Sequence, residues 1–494
     1  MSLTFFGIHS RLSTRRPGIG LSLQSLLRPL PRTDDMDTTE HSRRRDMLMS
    51  LLGALTGIEF LENAMFVFAV SPIMHGVGAP PQAVVQVLVK QHWLAEQLGY
   101  RRYLCGALSL FVAGALACAF STTLDGLTAA RFLQGLGGGA LFTSSRVLVN
   151  MSFPPAERAP AVRRFIIFVF AAGAIGPALS AYLLAHGNWS WIFLGIVPPA
   201  LLALAGCAWL LPDAHPGRAP MPWAWGGLLL FGVAAVGLQI GLSEASYGFF
   251  AHPWQVAAFC LGALVLMVGF AVHQWRHPSP LLHLRQLNSP VYLTGLGLYF
   301  LYYLLTNFGN ALFPVYAEHG LAFSLETTGW LNSLGGLAGW CMALAYLRWS
   351  KLLPTKKPLM LAGLCAMFLA AMWFAFVPAG ASPFALWPGI IAKGCFGVLM
   401  VLPVAGLSFR ELGEDRFAQA YQAKNLMRQI AISMSTALAT VLVHARAESV
   451  HAALGEGAQV GAQATLAASQ QIYLVLAAMV LVAIAVVARQ KRLL

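Results

Sequence analysis

The chain has 494 residues, 57% of them hydrophobic and 10% charged, where a soluble domain carries roughly 25% charged residues. That composition excludes an ordinary soluble enzyme and points to an all-α polytopic membrane protein. The formal charge of +13 does not imply nucleic acid, because the basic residues sit in short segments between apolar runs, as orientation in a bilayer requires.

Met1 to Arg32 holds Arg11, Arg15, Arg16, Arg28 and Arg32 and no acid. With no apolar segment and cleavage site behind it, the stretch reads as a disordered cytoplasmic extension over 1–46 or an upstream start, with a targeting signal as the alternative. The first apolar run, Met47 to Pro72, is about as long as a bilayer core is thick, roughly 20 residues. It carries Glu59, Glu62 and Asn63, spaced so that a helix presents them on one face. A charge at mid-membrane costs about 2.5 to 3.5 kcal/mol even on the lenient insertion scale, so these acids face protein or a water-filled path. Proton handling is one reading of the pair; a hydrogen bond to a neighbouring helix is the other.

Apolar runs punctuated by charge, Pro and Gly predict spans near 47–73, 78–95, 103–121, 126–150, 164–185, 190–211, 223–245, 254–273, 291–316, 327–347, 358–377, 384–408, 424–444 and 468–488. The run at 78–95 is short and carries Lys90 and His92, and it is expected to cross tilted or with local thinning. Basic residues fall on one set of loops, including Arg101, Arg102, Arg158, Arg163, Arg218, Arg276, Arg348, Lys356, Arg410 and Arg489, while the opposite loops hold Arg446. Both termini are therefore expected in the cytoplasm. Runs of this length exclude a membrane β-barrel. The seven cysteines are scattered through apolar runs without a CxxC pair, so no disulfide framework, metal site or cofactor is expected. No nucleophile–base arrangement or phosphate loop marks an enzyme.

Four stretches carry motif character. His92-Trp-Leu-Ala-Glu96-Gln-Leu-Gly99-Tyr-Arg101-Arg102 lies between the second and third spans, and Arg131-Phe-Leu-Gln134-Gly135-Leu-Gly137-Gly138-Gly139 lies in the fourth. Gly173-Ala-Ile-Gly176-Pro177 follows in the fifth, and Asn425 to Leu438 opens the thirteenth. Glycines strip side chains from one helix face so that another can pack closely, and Pro177 frees a backbone carbonyl and permits a bend. GLGGGA also fits a dinucleotide fingerprint, but it follows no strand and sits inside an apolar span. Arg131 needs a partner in a span, and the acids of the first span are the candidates. Arg146, nearer the helix end, is expected to snorkel to the aqueous boundary. Lys393-Gly394-Cys-Phe-Gly397 echoes Arg131 to Gly135 in the second half, as in duplicated transporters, and places Lys393 either in the substrate path or at a helix end. Glu244, Glu318, His319 and Glu326 are expected at solvated ends and loops, and Trp189, Trp191, Tyr299, Tyr302 and Tyr303 as interface anchors or cavity lining.

In order and spacing these motifs resemble the major facilitator superfamily, and within it the fourteen-span drug:proton antiporter branch, from about 48 to 490. The loop departs from that pattern in having His92, Glu96 and Gln97 where the family carries Gly and Asp-Arg, and Asn63 stands where the family has an aspartate. The resemblance implies bundles over 47–211 and 290–489, with two added helices over 212–289 and a tail over 490–494. It implies alternating access in a bacterial inner membrane, with export of lipophilic or cationic compounds against protons. Glu59, Glu62, Asn63 and Arg131 would couple the proton, Glu96, Gly99, Arg101 and Arg102 would gate, Gly173, Gly176 and Pro177 would form the antiporter motif, and Gln134 and Lys393 would face substrate. The expected partners are a small molecule, protons and membrane lipid, and a periplasmic adaptor and outer-membrane channel are further candidates. A narrow-specificity transporter of a metabolite or siderophore, and a non-transporting sensor or scaffold, are the alternatives.

Overall fold

The computed structural model describes residues 37–76, 99–154, 157–212, 253–277, 287–353, 355–454 and 458–491, together with isolated helical residues between 230 and 241. Among these residues the secondary structure is helical throughout. The helices are α1 (Asp37–Gly76), α2 (Tyr100–Ala119), α3 (Leu124–Ser152), α4 (Arg158–His186), α5 (Ser190–Leu210), α6 (Pro253–Arg276), α7 (Pro290–Pro314), α8 (Leu325–Trp349), α9 (Lys357–Ala375), α10 (Trp387–Ser408), α11 (Glu414–Leu454) and α12 (Ala458–Arg489). Among the described residues nine helical stretches are long and apolar enough to cross a membrane. The expected span at 78–95 and most of that at 223–245 lie outside the described residues, as do Glu96 and Glu244.

Two boundaries differ from the sequence reading. α1 begins at Asp37, so the last ten residues of the segment expected to be disordered are helical; with neither Pro nor Gly between 37 and 46, nothing stops the helix there. Glu318 and His319, expected in a loop, sit in a π-helical turn, Val315–Gly320, that continues α7. Pro314 removes a backbone donor, and the ladder answers by lengthening its hydrogen-bond step.

Local chemistry sets the other ends. Thr123, Ser289 and Ser324 each accept a hydrogen bond from a first-turn amide of α3, α7 and α8. Gly99 opens α2 at φ 79°, a backbone conformation that a side chain resists.

The apolar core is built around two centres. One gathers Leu52, Leu55, Leu104, Phe111, Leu141, Ala200 and Cys207 from α1, α2, α3 and α5. The other gathers Leu305, Phe308, Leu364, Phe374, Phe396, Tyr473 and Leu476 from α7, α9, α10 and α12. α4 and α8 pack against one another and tie the two together. A Cβ on Gly336 of α8 would come within 2.5 Å of the Gly173 carbonyl and the Ala174 backbone of α4, so only glycine permits this approach. The Ala178 amide beyond Pro177 donates to Ser333 Oγ across the same seam at 2.8 Å. Gly176 plays its part on the other face, where a Cβ would meet that of Ala64 in α1 at 2.6 Å, whereas Gly173 and Gly135 have open space in front of them.

Candidate functional site

Glu59 and Glu62 lie one turn apart on α1, and each finds its own partner. Arg131 of α3 donates to Glu62 Oε1, and the two side chains are only 11% and 12% exposed. The same guanidinium donates to Gln134 Oε1 at 2.7 Å and lies 3.7 Å from the centre of the Phe66 ring. Cys118 Sγ and the Phe193 ring close the surroundings. A charge pair out of water holds best when other groups also answer its charge, and here the carboxylate, the amide oxygen and the ring all turn toward one cation, while Gln134 Nε2 is buried with no partner among the described residues.

Glu59 uses both its oxygens. Oε2 accepts from the Phe142 backbone amide of α3 at 2.8 Å, and Oε1 lies 3.5 Å from Arg428 Nη2 of α11. The acid therefore joins the first and second halves of the chain. The glycines of α3 seat it closely on α2: Gly137 packs directly on the α2 backbone around Ala107 and Phe111, and Gly138 lies under the Phe111 ring. Asn63 stays out of the cluster, because its amide donates to the Glu59 carbonyl of its own helix at 2.8 Å.

Around Arg428 the interior is aromatic. Phe60, Phe142, Phe165, Phe409, Phe417 and Tyr421 pack against one another, mostly tilted, at centroid distances between 5.4 and 5.9 Å. Tyr299 joins through Phe409, and Tyr303 stacks on Tyr299. Tyr299 and Tyr302 are buried in the α7 face rather than set at a membrane interface, while Trp191 is exposed. Lys424 Nζ lies 4.0 Å from the Tyr421 ring centre and about as close to Phe142 and Tyr299, at 4.9 and 5.2 Å. Asn425 Nδ2 donates to Thr143 Oγ1 at 2.8 Å, a bond between α3 and α11 that joins the two halves a second time.

Arg146 departs from its expected place. Instead of reaching to water, its guanidinium lies between the Phe165 and Phe417 rings at 5.8 and 5.7 Å, because α11 covers the end of α3 that was expected to be open. Lys393 is half-buried in the second turn of α10, with its ammonium 4.9 Å from the Phe313 ring. Of the gating-loop residues that are described, Arg101 is half-buried and Arg102 exposed at the start of α2. Among the described residues no group of three His, Cys, Asp or Glu could hold a metal ion.

Lys424 and Arg428 were not singled out in the sequence. The signal was there, since both are charges in the opening turns of an apolar run, although Glu59 and Glu62 stand out more for lying in the middle of theirs. Phe142 was illegible, since it acts through its backbone amide.

A helical seam with charges buried at its centre, between two apolar cores, is a carrier's layout, and the comparisons with known proteins decide which. Residues 81–436 match the sequence model of the Major Facilitator Superfamily. The chain belongs to that family. Among its curated relatives are a putative multidrug resistance protein MdtD of Salmonella heidelberg, 30% identical over 49% of this chain and 51% of that one, and a probable multidrug resistance protein EmrY of Escherichia coli, 26% identical over 72% of this chain and 70% of that one. The chain thus spans about half the length of the MdtD proteins it matches. Solved major facilitators share the fold. A peptide transporter POT bound to sulfate aligns at TM-score 0.56 and 17% identity, over 90% of this chain and 95% of that one. An inward-facing bacterial homolog of the human lysosomal transporter Spinster aligns at TM-score 0.53 and 9% identity, over 90% and 96%.

Proposed function

We propose that this major facilitator exports lipophilic organic compounds in exchange for protons, with Glu62 as the proton carrier and Arg131 as the cation that displaces the proton. The observation that carries this reading is the Arg131–Glu62 pair, buried between α1 and α3 and linked through Gln134. A carboxylate beside a guanidinium gives up its proton readily, and the same carboxylate parted from it in a low-dielectric interior holds one more tightly. A shift of α1 against α3 within the first half, coupled to rocking of the two halves about the α4–α8 seam, would make and break that approach. Glu59 is the second candidate carrier, and its contact with Arg428 reports the position of the second half. Each proton entering down a 100 mV potential supplies about 2.3 kcal/mol, enough for a forty- to fifty-fold gradient of a neutral solute at one-to-one exchange. The names of the MdtD and EmrY relatives support drug-like cargo.

Inside-out vesicles given an acid lumen test this. Dye accumulation driven by the gradient should disappear in Glu62→Gln and fall in Glu59→Gln. If both variants keep gradient-driven uptake at the wild-type level, the assignment of the proton site is wrong.

A further inference from the structure

Among the described residues the buried charges of this interior do not balance: Glu62 pairs with Arg131 and Glu59 with Arg428, so that two acids face four cations and neither Lys424 nor Arg146 has a carboxylate at ion-pair distance. Lys424 is 3% exposed and held by the faces of three rings. The Arg146 guanidinium lies between two more, and among the described residues its Nη1 is buried with no hydrogen-bond partner; Arg428 Nε, on the same cage, is likewise buried without one. Charged donors are costly to leave unmet out of water, and ring faces answer only part of that cost.

We propose that this cage is the cargo site, and that it takes an amphipathic organic anion: an aromatic ring bearing a carboxylate or sulfonate. The anionic group would lie among Lys424, Arg146 and the free edge of Arg428, and the ring among Phe142, Phe165, Phe417 and Tyr421. The parts come from both halves of the chain, α3 and α4 on one side and α11 on the other, so an occupant is gripped or released as the halves move. A lipophilic cation is the wrong cargo for this cage, because it would replace a missing counter-charge with a further like charge. The proposal deepens the exporter reading and rests on it for the transport step alone; binding stands by itself.

Binding is tested on the purified full-length protein in detergent, by thermal unfolding and equilibrium titration with aromatic carboxylates graded in size from benzoate to carboxyfluorescein, and with matched aromatic ammonium compounds. At least one carboxylate should bind saturably and raise the unfolding temperature, and the ammonium series should not. Lys424→Gln and Arg146→Gln should each weaken that binding at least tenfold, while Lys424→Arg, which keeps the charge, should restore most of it and shows that the site still forms. No saturable binding across the carboxylates, equal binding of the ammonium series, affinity indifferent to Lys424→Gln, or stabilisation by phosphatidylglycerol alone would each overturn the proposal. Transport supplies an independent sign. Exchange of one proton for a monovalent anion moves charge across the membrane, so a lumen-positive potential in inside-out vesicles should speed uptake without any pH gradient; exchange for a monovalent cation moves no net charge. Carboxylate binding without gradient-driven flux would sink the exporter reading and leave the site standing, and gradient-driven flux of the ammonium series alone would do the reverse.

Discussion

The Arg131–Glu62 pair and the Lys424–Arg146 cage lie in the same interior and solve opposite problems. In the first, one acid, one amide oxygen and one ring answer one cation, and the donor left over among them, Gln134 Nε2, carries no charge. In the second, cations are surrounded by rings and, among the described residues, have no carboxylate at ion-pair distance of their own. A completed pair can switch, since its energy changes when its members part or when a proton replaces one of them. An incomplete one is a place for a guest. The contrast separates the coupling machinery from the cargo machinery along one seam, with Glu59 and Arg428 as the hinge between them.

The contrast also predicts opposite signs on stability. Removing one member of the matched pair leaves the other as a bare buried charge, at a cost of about 3–5 kcal/mol. Arg131→Met should therefore lower the midpoint of unfolding in detergent strongly, and Glu62→Gln with Arg131→Met together should recover much of the loss. Next in size is the seam itself. Gly336→Ala forces a Cβ into the α4 backbone and should cost about 1–3 kcal/mol as overpacking, with transport falling further than folding because the two halves rock on this contact; comparing specific transport with the folded fraction measures it. Lys424→Met should be close to neutral or even stabilising, because it replaces an unmatched buried cation with an apolar stem. A loss as large as that of Arg131→Met would mean that the cage cation is in fact paired. The smallest effect is expected for Asn425→Ala, which removes one side-chain bond to Thr143, worth about 1 kcal/mol, read as a modest shift in the same unfolding curve.

Much of this arrangement was legible before any coordinates. Glu59 and Glu62 stand out because a carboxylate inside an apolar run has few places to go, and Arg131 stands out for the same reason. The glycine-rich stretch of α3 marked a close approach, although the residue that requires it is Gly137 and not Gly135. Other features depended on three-dimensional neighbours. Arg146 looked like a helix-end charge because its distance from the boundary could be counted, while the α11 helix that covers it lies some 270 residues further on. The tyrosines of α7 read equally as interface anchors and as cavity lining, since the residue type suits both. Asn63 shared a helical face with the acids, and a hydrogen bond to its own backbone took it out of the cluster. Periodicity places a side chain on a face, but it does not say which of several polar groups on that face will prefer its own helix.

The most direct measurement compares two modes of transport by one variant. In proteoliposomes, wild-type protein should both exchange labelled for unlabelled cargo at equal pH and accumulate cargo when a pH gradient is imposed. Per folded molecule, Glu62→Gln should keep the exchange within a few-fold of wild type and lose the gradient-driven accumulation, since the protein that still folds rocks and binds but no longer has its proton to trade. Gradient-driven accumulation surviving at the wild-type level in Glu62→Gln would contradict the account.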